Sequence, residues 1–80
     1  MMKYLLNYGT GAGNEWFDSL EEAKANANFS YTQESVVIED EQENEILIAK
    51  WWGTAYDEEV DGEEPMADFG FGYYENWREI

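Results

Sequence analysis

The chain has 80 residues, of which 19 are Asp or Glu and four are Lys or Arg, giving a formal net charge of −15. It contains no cysteine and no histidine. Disulfides, thiolate zinc sites and Ser/His or Cys/His catalysis are thereby excluded, and so negative a surface repels nucleic acids and acidic membranes.

The length allows one domain over residues 1–80, with no room for a second core. Acidity on this scale favours disorder. Against that, 44% of the residues are apolar, and four Phe, six Tyr and four Trp supply large rings that can close a small core. A folded domain with acidic loops is expected. No apolar run approaches the roughly 20 residues of a membrane span. The stretch from Met1 to Tyr8 has one lysine and too short an apolar segment for a signal peptide. The expected setting is the cytoplasm.

The first predicted element is a strand over Lys3–Tyr8, in which Tyr4, Leu6 and Tyr8 share one face. A flexible loop follows at Gly9–Asn14. Its Gly9, Gly11 and Gly13 do not have the G-x-G-x-x-G spacing, and no Walker lysine follows, so they read as turn formers and not as a phosphate cradle. Ser19-Leu20-Glu21-Glu22 has the spacing of a capping box, with Phe17 placed to pack on Ala23. It opens a short helix to about Asn26–Asn28, whose narrow apolar stripe is Leu20, Ala23 and Ala27.

Two β-branched, alternating segments, Ser35–Glu39 and Glu45–Trp52, predict a hairpin closed by the loop Asp40–Asn44. One of Trp51 and Trp52 must face inward. Beyond Gly53, Thr54–Tyr56 is expected to extend a strand past a bend. Asp57–Glu64 reads as an acidic loop with six carboxylates in eight residues, closed by Pro65, within an acidic region of about 57–68. Phe69–Tyr74 reads as a strand with rings on one face and glycines on the other, and Trp77 and Ile80 as residues that dock back on the core. The predicted fold class is α+β: a small antiparallel sheet of about four strands with one short helix packed on one face.

The charge is polarised along the chain. Residues 1–33 hold four acids against Lys3 and Lys24, while residues 34–80 hold fifteen against Lys50 and Arg78. The total exceeds the magnitude of roughly 2–8 that solubility asks of a small domain, so a partner is expected to use it.

Asp57, Glu59, Asp61, Gly62 and Asp68 fall at positions 1, 3, 5, 6 and 12 of an EF-hand-like loop. Glu64 at the apolar position 8, Pro65, the short Asp68 and the lack of flanking helices all depart from that pattern. No metal, no cofactor and no catalysis are therefore assigned. What remains is the carboxylate array itself. Alternate strand residues point the same way about 6.6 Å apart, a spacing on the scale of phosphates along a nucleic-acid backbone. Acids on the strand ends and in the loops at 39–45 and 57–68 are thus suited to a groove built for DNA, where Arg and Lys would meet carboxylates instead. The candidate partner-binding residues are Asp57, Glu58, Glu59, Asp61, Glu63 and Glu64, followed by Glu39, Asp40, Glu41, Glu43 and Glu45. Tyr56, Tyr73, Tyr74 and the tryptophans are candidate anchors.

In size, extreme negative charge and strand–helix–strand–strand order, the chain resembles the small acidic inhibitors that phages direct at host nucleic-acid machinery, the anti-CRISPR proteins in particular. The segments that carry the resemblance are Tyr4-Leu5-Leu6-Asn7-Tyr8-Gly9-Thr10-Gly11, Ser19-Leu20-Glu21-Glu22-Ala23 and Tyr31-Thr32-Gln33 with Val36-Val37-Ile38. The resemblance implies a basic nucleic-acid-binding protein as partner, such as a subunit of a CRISPR surveillance complex, whose cationic groove would be blocked to DNA. A monomer is expected at this charge, although rings exposed on Phe69–Tyr74 would favour a dimer. The alternative is a small structural protein that binds divalent cations or assembles with itself.

Overall fold

The structure, a computed structural model, describes residues 3–9, 13–29 and 33–80. Three short strands and a helix open the chain: β1 (Tyr4–Asn7), β2 (Glu15–Phe17), α1 (Leu20–Ala25) and β3 (Val36–Glu39). Then come β4 (Glu45–Ala49), β5 (Trp51–Trp52), the one-turn helix α2 (Glu58–Asp61), β6 (Ala67–Asp68), β7 (Tyr73–Tyr74) and β8 (Arg78–Glu79). A five-stranded antiparallel sheet has the order β2-β1-β3-β4-β8, and a three-stranded one the order β5-β7-β6.

The α+β class, with its small antiparallel sheet and short helix, is as the sequence predicts. Alternation along β1, β3 and β4 puts Leu6, Val36, Ile38, Leu47 and Ala49 on one buried face, where Ala23 of α1 and the ring of Tyr74 meet them. The Tyr74 ring ties the second sheet into the same core. Helix α1 begins as its capping signature dictates: the Ser19 hydroxyl accepts from the Glu22 N–H at 3.1 Å. It ends at Asn26, whose N–H and side-chain amide both return to the Glu22 carbonyl, sooner than the apolar stripe through Ala27 suggests.

The large sheet has five strands, and the two at its edges, β2 and β8, join by register alone: Phe17 opposes Tyr4, and Arg78 opposes Ile48. Neither edge strand shows the alternation that makes a strand visible in a sequence. Several expectations are corrected. Phe69–Tyr74 is not one strand. It is the turn and return arm of a hairpin, closed by the Phe69 N–H to the Gly72 carbonyl at 2.9 Å, with Gly70 at φ +86°. Thr54–Tyr56 forms no strand. The acidic loop contains a helical turn, since the Asp57 carboxylate caps it from the Glu59 N–H at 3.0 Å. At the C-terminus Trp77 packs on Phe29, with ring centroids 5.9 Å apart, but the Ile80 side chain is exposed and only its N–H docks, on the Ile46 carbonyl. Of the segments singled out from sequence, Thr10–Ala12 with Gly11, and Tyr31-Thr32, lie outside the described residues.

Trp51 is the inward tryptophan. Its ring lies 4.9 Å from that of fully buried Tyr74, whose hydroxyl donates to the Glu34 carbonyl at 3.0 Å. Burial pushes the Tyr74 phenol above its ordinary value of 10.0. The unfolded chain therefore loses this proton first in alkali. The stability tied to Tyr74 is complete below about pH 10 and is lost as pH rises through the folded value. Thermal melts over about pH 9 to 11 should show a shallower fall in Tm for Tyr74→Phe than for the wild type, from a lower starting value at neutral pH. Parallel slopes would show that the Tyr74 phenol does not contribute.

Candidate acidic docking surface

No Asp or Glu is buried among the described residues. Ion pairs there involve two of the acids, Asp18 with Lys3 at 3.7 Å and Glu75 with Arg78 at 3.6 Å. Lys50 places its ammonium 4.3 Å over the Trp52 ring, and Lys24 lies in the last turn of α1. The few cations are thus spent locally, and most of the negative charge faces water.

The eleven candidate residues fall into two groups separated by β4. At one end, the hairpin loop and the paired strand ends that flank it hold Glu39 to Glu45. At the other, β5 leads to Asp57–Glu64, whose end is tied down by the Asn76 side-chain amide donating to the Glu64 carbonyl. From Glu45 to the end of β4 at Ala49 the strand rises about 13 Å. Residues Asp57, Glu58, Glu59, Glu63 and Glu64 are all exposed. Asp61 closes α2, and its side chain lies outside the described part.

The two groups differ in how committed their carboxylates are. Asp40 latches its own loop: one oxygen accepts from the N–H groups of Gln42 (2.8 Å) and Asn44 (3.0 Å), the other from the Asn44 side chain at 3.1 Å. This latch allows Glu43 to hold φ at +65°, an uncommon conformation for a non-glycine residue. Glu39 accepts from the Asn7 amide at 2.7 Å, which offsets its position directly opposite Glu45. Glu41 accepts from the Lys3 N–H at 2.7 Å. At the other end Asp57 is engaged as the cap of α2, while no hydrogen bond or ion pair engages the side chains of Glu58, Glu59, Glu63 and Glu64 among the described residues. Asp40 is therefore a fold residue first, whereas the second group is open to a partner.

The Asn44 N–H, followed by the Asn44 side-chain amide, holds the Asp40 carboxyl below its ordinary value of 3.8. Its contribution to stability is present above that value and is lost as pH falls through the folded one. Asp40→Asn should melt below the wild type at neutral pH, with the gap closing as pH falls below the ordinary carboxylate range. An unchanged gap across the titration would remove the ionised latch as its cause.

Some anchors proposed from sequence are corrected. Tyr73 and Tyr74 are buried, so they anchor the fold. Of the tryptophans proposed with them, Trp16 and Trp52 are exposed, and so are Phe69 and Phe71. An open cleft of about 250 Å³ beside the second group is lined by Tyr56, Glu63, Glu64, Tyr73, Glu75 and Arg78 among others. No group of three or more Asp or Glu side chains converges to hold a metal ion among the described residues, and the capping role of Asp57 takes position 1 of the EF-hand-like pattern away from a ligand set. Among the described residues no helix is long and apolar enough to cross a membrane. No family model, curated protein or solved structure matches the chain.

Proposed function

We propose that the protein is an acidic nucleic-acid mimic that binds the cationic groove of a nucleic-acid-binding protein and keeps DNA out of it. It acts as a monomer in the cytoplasm, with no catalytic step and no cofactor. The target implied by the resemblance is a CRISPR-type surveillance complex. One observation carries the reading. The molecule extends 42 × 23 × 18 Å, so its net charge of −15 amounts to one charge per about 2.8 Å of the long axis. A single DNA strand carries one charge per about 3.4 Å and a duplex one per about 1.7 Å. An unburied charge of this density, on a framework fixed by a small core, gives Arg and Lys in such a groove the field they are built to meet. Little ordering entropy is lost on binding.

The test is competition. Purified protein is added to CRISPR surveillance complexes of several types, each loaded with a fluorescent target duplex, and anisotropy reports release. Release at low salt that weakens as salt rises is expected. Because the charges are spaced more widely than on a duplex, fewer counterions are released, and the salt dependence should be shallower than that of DNA itself. Retention of the duplex by every complex at low salt overturns the reading.

A further inference from the structure

The second sheet displays a group of rings that its fold does not require. Phe69 and Phe71 are 40% and 61% exposed. Phe71 leaves most of its ring in water and forgoes most of the gain that burial would bring. A two-residue hairpin turn asks only for glycine or a small polar residue at its tip. Yet these rings are held firmly. Phe69 and Phe71 lie 6.2 Å apart at 30°, each 6.1 Å from Trp51, and Trp51 rests on the buried Tyr74. The turn beneath them is fixed by the Gly70 N–H on the Asp68 carboxylate at 2.9 Å.

The charge decides what occupies this patch. A second copy brings another −15 and is repelled. The occupant must carry cations. The three rings of Trp51, Phe69 and Phe71 are packed at ring-contact distance, which leaves no space among them for an ammonium group as in an aromatic cage. They offer flat outer faces to something flat. Surfaces that combine cations with aromatic platforms are those that bind single-stranded nucleic acid, where bases stack on rings while Arg and Lys follow the backbone. A duplex hides its base faces, so a mimic of duplex DNA alone would gain nothing from exposed rings. The charge spacing of about 2.8 Å is likewise nearer to that of one strand than of two.

Resting on the reading above, we infer that the partner is a single-strand-binding surface, and that Phe69 and Phe71 stack on its aromatic side chains in the place of nucleobases. The probes are three labelled peptides of Lys-Lys-Xaa repeats, with Trp, Leu or Gly at Xaa, titrated against the full chain by anisotropy and by NMR. The Trp peptide should bind at least about fivefold more tightly than the Gly peptide and more tightly than the Leu peptide, with upfield shifts of the Phe69 and Phe71 ring protons. Phe71→Ala, a substitution at an exposed position, should remove most of that preference while leaving the Gly peptide's binding unchanged. The ring shifts are read in the wild type, so the test stands even if the variant folds poorly. Leu binding as well as Trp, or all three binding alike, overturns the inference and leaves the charge-based reading in place. No salt-sensitive binding of any peptide overturns both.

Discussion

Reversal of Glu58, Glu59, Glu63 and Glu64 to lysine is expected to weaken competition with DNA by more than about a hundredfold and to leave the fold intact. The four side chains are exposed, and the structure uses only backbone atoms there: the Glu58 carbonyl receives the Gly62 N–H and the Glu64 carbonyl the Asn76 amide. Each reversal removes an attraction to a cationic groove and adds a repulsion, and like charges brought together cost several kcal/mol in total. About 2.8 kcal/mol already corresponds to a hundredfold. The salt slope should drop by up to about one for each carboxylate withdrawn from the groove. Since self-repulsion also falls, Tm should hold or rise. Reversal of Glu41, Glu43 and Glu45 should do less per charge, because Glu41 is already bonded to the Lys3 N–H and Glu43 sits in a constrained turn. Equal competition by the wild type and the Glu58–Glu64 variant would put the partner surface elsewhere on the molecule.

Where local chemistry and periodicity agree, the fold is legible in the sequence. Ser19 and Glu22 announce α1, and the alternation through Val36–Ile38 and Ile46–Ile48 announces the central hairpin. What stays hidden is structure decided by distant partners. Strand β2 exists because β1 has a free edge for Glu15–Phe17, and β8 because β4 has one for Arg78–Glu79. Phe69–Tyr74 has the alternation of a strand, but a glycine with positive φ at residue 70 turns the chain back, and that glycine could as well have been the bare face of a strand. Among the acids, the sequence singles out both groups. What separates Asp40, which ties its loop, from Glu43 or Glu64 is a short-range turn signal, a short carboxylate that accepts from N–H groups two and four residues on.

The long-range dependence that hides β2 and β8 also makes Gly72 the position where a single methyl group should do most harm. Gly72 is buried, and a Cβ built there would meet the Trp51 ring and approach the Trp52 carbonyl to 2.7 Å. One obstacle is backbone paired in the β5–β7 ladder, and the other is an indole already wedged against Tyr74, Phe69 and Phe71. Neither can yield without separating the second sheet from the core. Overpacking of this kind costs roughly 1–3 kcal/mol, and in a domain of this size each 1 kcal/mol shifts Tm by about 4–8 °C. Gly72→Ala should therefore lower Tm by about 10 °C and diminish the near-ultraviolet circular dichroism of the packed rings. Gly70→Ala supplies the contrast. Its Cβ meets nothing within 4 Å, and only the φ of +86° penalises it, so its melt should fall less and its ring signal should persist. If Gly72→Ala matched the wild type, the rings of Trp51, Phe69 and Phe71 would not be held against the core. The preorganised aromatic face would be lost with them, while the carboxylates of Glu58, Glu59, Glu63 and Glu64 would keep their part in the charge-based reading.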